Sequence, residues 1–364
     1  MSMKERLKQV LVHTGSYSAA LSVFKVAQDL LLRLETFVWL PLLQHCAFLR
    51  RVHFGFFSSS FSSEMRLYVI GRRYYLKLKL NNKANPYLLR RNIHRIEKGL
   101  MAPAAKAVFA LDYIQETVLQ FVAGVRQEGP SALYDWAFDV LSTYFTRVEP
   151  LDEVLQARSL FEGLAYRKEK AELFFGPYAA VSSSSDALYA GFAQLVAERK
   201  SVRSFVSNSI PPMEVLERAV ALAALAPSSC NRQPFRFVVI KDADRVGRLA
   251  RLAGGARTFA HEIPALVVLV GSLGVSPSAG DRHLMYIDGS LAAMNFMLAL
   301  QSQAYASCPI NWPDQDKADA EMVHALGLAS YERPLMLIAV GKAAPGAMVA
   351  CSTRKRVKEL LEVK

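Results

Sequence analysis

Apolar residues recur every three or four positions through most of the first 174 residues. This spacing predicts helices over Tyr17–Leu49, Asn85–Met101, Lys106–Gln127, Ser131–Thr146 and Leu151–Phe174. One stretch breaks the period: YLKLKL, Tyr75–Leu80, alternates strictly and predicts a short strand with one wet face. The pattern changes after the serine run Ser182–Ser185, which follows the Gly176-Pro177 turn signal. Beyond it, Pro211-Pro212 opens a helix from Met213 to Leu225, stopped by Pro227. Three short segments rich in Val and Ile, Phe235–Ile240, Ala265–Gly271 and Leu335–Gly341, predict strands. Between the last two, Leu284–Gln303 is apolar on several faces. Such a helix has more surface to cover than one sheet face provides, so it is expected to pack against a second subunit.

A boundary near residue 186 therefore divides a mainly helical segment, 1–185, from a mixed segment, 186–364. A chain of 364 residues fits two domains, and 52% hydrophobic with 21% charged residues excludes extensive disorder. Charge is uneven. Residues 1–110 hold 18 Lys and Arg against 5 Asp and Glu, while the whole chain is +12, so the remainder is close to neutral. Clustered cations suit anionic lipid, nucleic acid or an acidic partner, although a solvated surface is the ordinary reading, and no nucleic acid is expected. Thr36–Ser60 is rich in Phe and Leu but is interrupted by His45, Arg50, Arg51 and His53, short of the ~20 apolar residues that span a bilayer. It reads as a buried helix pair, with peripheral membrane contact as the other reading. Cys46, Cys230, Cys308 and Cys351 lie far apart, which argues against a metal site or a disulfide framework. No secretory signal is evident, and a cytoplasmic location is expected.

Three segments carry groups that suit a phosphorylated, flat ligand. In ERKSVRSF, Arg199, Ser201 and Arg203 alternate and point one way from an extended chain, so two guanidinium forks and a hydroxyl face a phosphate together. In APSSCNRQPFRF, Ser228, Ser229, Asn231 and Gln233 bring hydroxyls and amides between two prolines, and amides both donate and accept. The third comprises SCPINW, Ser307–Trp312, and the basic run STRKRVKEL near the C-terminus.

Taken in order and with their spacing, these segments resemble the FMN-dependent nitroreductases over about residues 195–364. The resemblance implies an α+β fold: a mixed sheet flanked by helices, with a long central helix at a homodimer interface. It also implies that Arg199, Ser201 and Arg203 hold the FMN phosphate and ribityl chain, with Arg203 also near the N1 side of the ring, where positive charge favours the reduced flavin. Ser228, Ser229, Asn231 and Gln233 would line the cofactor. Pro309 would also line the cofactor, the backbone of Asn311 would face the flavin N5, and Arg354, or else Arg356, would reach the phosphate. The family commonly has a Gly-containing sequence after Pro-Ile. Here Asn311-Trp312 stands in that place, which raises the question of whether Trp312 fills the substrate position.

The activity implied is ping-pong hydride transfer from NAD(P)H through FMN to a small organic acceptor, with no obligatory side-chain acid or base. Asp288 is a candidate substrate group or interface hydrogen-bond partner. In RRNIHRIEKGLM, His94, Glu97 and Lys98 share a helix face, and similar HRxEKGL segments precede nitroreductase domains. The face reads as an ordinary intrahelical ion pair, with a substrate lid as the alternative. A reading of a different class is a dimeric adaptor, flavin-binding or flavin-free, whose basic N-terminal half binds a membrane or macromolecule.

Overall fold

Eight consecutive buried residues, Ala265–Ser272, form the strand around which the C-terminal half is organised. The sheet has four strands, β1 (Phe235–Ile240), β2 (Ala265–Ser272), β3 (Ala306–Asn311) and β4 (Glu332–Gly341), in the order β1-β2-β4-β3 with every pair antiparallel. A strand covered on both faces reads as a continuous apolar run, which is why β2 lacks alternation. Its side chains still alternate in destination. Leu266, Val268 and Val270 join one core with Leu337 and Ala339 of β4, while Val267 and Leu269 join the other with Ile338 and Val340.

The computed structural model describes residues 17–80, 83–102, 107–169, 171–180 and 184–364, with side chains from residue 26 onward. Close contacts divide the chain into two compact units, Met1–Met65 and Arg66–Lys364. In the first, α1 (Tyr17–Leu34) runs through a wider helical turn, Glu35–Trp39, into α2 (Leu40–His45). Cys46 adopts an extended conformation, and α3 (Ala47–Val52) continues into a second wide turn, His53–Phe57. The expected buried helix pair is not what forms: of residues 26–57, Leu43 alone is buried.

In the second unit lies most of α4 (Ser62–Leu80). Here the strand expected over Tyr75–Leu80 is overturned, because these residues complete the helix. Gly71 and Tyr75, four residues apart, are its buried positions, so the helical face outweighs the local alternation of Leu and Lys. Then follow α5 (Pro86–Met101), α6 (Ile114–Glu128), α7 (Ala132–Arg147) and α8 (Asp152–Glu162), which enclose a separate core that includes Ile93, Ile96, Phe121, Tyr134 and Tyr144. Asn85 caps α5 by accepting from the Leu88 N–H at 3.1 Å, and Pro86 takes the first helical position, where a missing donor costs nothing. The helix expected from Leu151 to Phe174 stops at Glu162, with Gly163 at its C-cap. The expected start at Lys106 lies outside the described residues, and the helix proper begins at Ile114.

The mixed part continues with α9 (Asp186–Glu198), α10 (Met213–Ala224), α11 (Ala243–Ala250), α12 (Leu284–Ser302), α13 (Asp316–Leu326) and the short α14 (Val357–Leu360). Helices α10 and α12 cover one sheet face, where Phe296 stacks on Phe237 at 4.8 Å. Helices α11 and α13 cover the other. The helical layer is tied to this part at close quarters. Tyr74 of α4 stacks on Tyr331 at 3.9 Å, and a Cβ at Gly71 would lie 2.6 Å from the Leu273 carbonyl oxygen. Only glycine permits that approach.

Candidate functional site

Arg199 sits at the C-cap of α9, where the chain turns from helix to extended backbone. Ser201 then bridges Ser307 in parallel, and the Val202 N–H donates to the Ser307 carbonyl at 3.1 Å. The buried side chain of Val202 anchors this strip in the core, so Ser201 and Arg203, on either side of it, turn outward as the alternation predicts. Two polar atoms here are buried without a hydrogen-bond partner: Arg199 Nη1 and Ser307 Oγ. Next to Ser307, burial pushes the Cys308 thiol up, against the opposing pull of Arg203, a Ser201 hydrogen bond and Arg199. Those three groups therefore converge on the start of β3.

The turn before β1 is held differently. Ser228 Oγ donates to Asp288 Oδ2 at 2.7 Å and accepts from the Gln233 N–H at 2.8 Å, while the Ser229 N–H donates to the same carboxylate oxygen at 3.1 Å. Arg232, buried, donates to the Ser229 carbonyl and hydroxyl and pairs with Asp281 at 3.0 Å. Gln233 Nε2 donates to Asn231 Oδ1 at 2.6 Å. Inside this frame Cys230, Asn231 and Gln233 all take left-handed backbone conformations. Three non-glycine residues in that region mark a strained, over-determined turn. Helix α5 packs against it through the Ser229–Asn231 segment.

The structure brings together Arg199, Ser201 and Arg203, but it does not bring the second segment to them. Phe235, just after the turn, pairs with Gly271, whereas Ser307 pairs with Val340, which pairs with Ala265 at the other end of β2. Strand rise and spacing put these corners about 25 Å apart, beyond the reach of one flavin nucleotide. Asn311 is the exposed last residue of β3 and Pro309 is half-buried, paired with Ile338. Arg354 lies in an exposed tail, and among the described residues no hydrogen bond or ion pair holds it.

Trp312 does not fill a ligand position. Its ring is buried in the sheet core and its Nε1 donates to Asp319 Oδ1 at 2.6 Å. Burial pushes the Asp319 carboxyl up, against the pull of Trp312 and of Arg333, which bonds it at 3.1 Å. Asp288 is the anchor of the Ser228–Gln233 turn, through the Ser228 hydroxyl and the Ser229 N–H. His94 and Glu97 form a loose intrahelical pair at 3.8 Å, and Glu97 also accepts from Trp136 on α7 at 3.2 Å. Burial holds His94 below its ordinary value, although Glu97 pulls the other way. Arg232 and Ser307 were not singled out from the sequence, though Arg232 was visible there as a lone cation inside a turn. No cluster among the described residues has the makings of a metal site.

The nitroreductase family model matches residues 196–256 and 245–342. The chain is 25% identical over 201 residues to iodotyrosine deiodinase 1 of Pongo abelii, a match covering 47% of this chain and 67% of that protein. It is 27% identical over 217 residues to the iodotyrosine deiodinase of Haliscomenobacter hydrossis, covering 50% and 93%. It is also 26% identical over 188 residues to the putative NAD(P)H nitroreductase YdgI of Bacillus subtilis, covering 42% and 88%. Among solved structures, a nitroreductase family protein from Streptococcus pneumoniae is similar at 24% identity and a TM-score of 0.41, over 48% of this chain and all of that one. Residues 196–342 thus match the nitroreductase family model, within the C-terminal half of the chain.

Proposed function

We propose that this half is an FMN-dependent oxidoreductase that takes hydride from NAD(P)H and passes it to a small organic acceptor. The observation that carries this reading is the pair of buried, unpartnered polar atoms, Arg199 Nη1 and Ser307 Oγ, beside Ser201 and Arg203. An orphaned buried donor costs about 1–3 kcal/mol, a cost offset when a ligand supplies the missing acceptor. Arg199, Ser201 and Arg203 fit a phosphate and ribityl chain, since a guanidinium offers paired donors to phosphate oxygens. Arg354 of the exposed tail adds a further guanidinium to that end.

Bound FMN would supply the hydride chemistry, and the protein's part is to position and bias it. Arg203 favours the anionic reduced ring by its charge, and the backbone at Asn311 and Pro309 shapes the edge where hydride enters and leaves. Because the Ser228–Gln233 turn lies at the far corner of its own sheet, its amides serve the flavin of a second copy. In that turn Asn231 Nδ2 remains as a donor and Gln233 Oε1 as an acceptor, the mixture a flavin pyrimidine edge requires. A second copy also accounts for the exposed apolar stripe Ile287, Leu291 and Met294 on α12, spaced at four and three residues, beside Leu188 and Phe192 on α9.

Purified full-length protein is expected to absorb at about 370 and about 450 nm, as oxidised flavin does, and to bleach anaerobically with NAD(P)H. Colourless dimer that takes up no added FMN would refute the reading.

A further inference from the structure

The N-terminal unit raises a separate question, because its surface does not suit water. Phe37, Phe48, Phe56 and Phe57 are 73%, 72%, 84% and 77% exposed, and Leu30, Leu31, Leu32 and Leu34 are exposed around successive sides of α1. A helix apolar on most sides is stable only when something covers it. Among the described residues, no helix is long and apolar enough to cross a membrane.

The polar groups of this unit indicate what the cover is. Arg50 Nη1 donates to the Leu43 and Gln44 carbonyls at 2.8 and 3.1 Å, which ties α3 to the end of α2 across the Cys46 break and leaves Arg51 exposed. Asp29 is neutralised by Arg33 at 2.7 Å. Trp39, His53, Phe54 and Phe61 form a run of edge-to-face ring contacts, with centroids 5.5, 4.8 and 5.0 Å apart. Over the unit, residues 1–65, the sequence holds 7 Lys and Arg against 4 Asp and Glu. Aromatic and aliphatic side chains interleaved with excess cations complement the headgroup boundary of an anionic bilayer, where each nearby cation contributes about 1 kcal/mol.

We propose that the N-terminal unit is an interfacial membrane anchor, with its Phe and Leu side chains inserted among the acyl-chain ends of an anionic leaflet and its arginines at the headgroups. The proposal is independent of the flavin reading.

The test is co-flotation of the full chain with phosphatidylcholine vesicles, with and without about one third phosphatidylglycerol. Flotation is expected with the anionic vesicles, at least about tenfold weaker with the neutral ones, and reduced by raising the salt well above physiological strength. Phe56→Ser with Phe57→Ser is expected to abolish flotation, and Arg51→Glu to weaken it, each with an unchanged far-ultraviolet dichroism spectrum. Three results would overturn the proposal: no flotation with either vesicle, equal flotation with both, or serine variants that float as the parent does while losing an oligomer seen by sedimentation. The last would make this face a contact between copies of the chain. Should the serine pair misfold, the Arg51→Glu variant and the salt dependence decide the matter alone.

Discussion

Asp288→Asn probes how the Ser228–Gln233 turn is held. Asp288 is 2% exposed, and one of its carboxylate oxygens accepts both the Ser228 hydroxyl and the Ser229 N–H. The left-handed residues Cys230, Asn231 and Gln233 cost about 1–3 kcal/mol each, so the turn persists only while its anchors hold. A hydrogen bond to a charged group contributes about 1.5–3 kcal/mol. Asparagine keeps one acceptor oxygen but loses the charge, which weakens both bonds by a net ~2 kcal/mol on that scale. A turn released by that amount lowers FMN affinity by up to about 30-fold, at about 1.4 kcal/mol per tenfold. Fluorescence titration of apoprotein with FMN measures the affinity, and thermal unfolding of the same sample measures the cost to the fold. A variant that binds FMN within about twofold of the parent and melts with it would show that Asp288 anchors nothing the cofactor needs. Asp288→Ala, which leaves two half-buried donors unpaired, is expected to be worse on both counts.

Arg199→Met together with Arg203→Ala is expected to abolish FMN retention while leaving apoprotein stability within about 1 kcal/mol or raising it, because an unpartnered buried donor is removed; gel-filtered protein judged by absorbance and melting temperature checks both. Leu291→Glu on α12 should yield monomer by sedimentation velocity and, with the site split between copies, lose flavin as well; a flavin-replete monomer would contradict the shared site. Burial raises the Glu332 carboxyl, but the Arg236 hydrogen bond at 2.9 Å, the Ala329 N–H and the Arg236 charge together hold it below the ordinary value. A folded value below the unfolded one stabilises the protein above the unfolded value, and that stability fades as pH falls through the folded one. Glu332→Gln is therefore expected to cost about 1 kcal/mol at pH 7 and progressively less below about pH 4.5, measured by denaturant titration at a series of pH values.

The sheet and its flanking helices were largely legible because their signals are long or repeated. Phe235–Ile240 starts and ends as its Val and Ile content predicts, and Leu284–Ser302 departs from the expected helix by one residue. The failures have local causes. Tyr75–Leu80 alternates over six residues, too short a window to overrule a helical face that buries Gly71 and Tyr75. Residues 306–311 carry Pro309 in the middle, which weakens the strand signal, yet β3 is an edge strand, where a missing N–H is tolerated. Thr36–Ser60 was expected to bury itself because its apolar content is high, but composition does not say what does the burying.

The site was legible in its parts and not in its assembly. Alternation of Arg199, Ser201 and Arg203 predicted a shared face, and the Ser201–Ser307 bridge provides it. The amides of Asn231 and Gln233 were recognised, but their place was not, since it depends on strand order. With β1 and β3 on opposite edges of an antiparallel sheet, the turn preceding β1 and the strip bridging β3 fall at opposite corners. No adjustment of loops closes a gap set by three strand spacings and the length of β2. Two groups that the proposed flavin needs, fixed at opposite corners of one rigid sheet, can meet only if a second sheet is brought alongside. The apolar stripe on α12 is the surface available to do that, so the cofactor reading and the dimer reading stand or fall together, and the Leu291→Glu variant tests both at once.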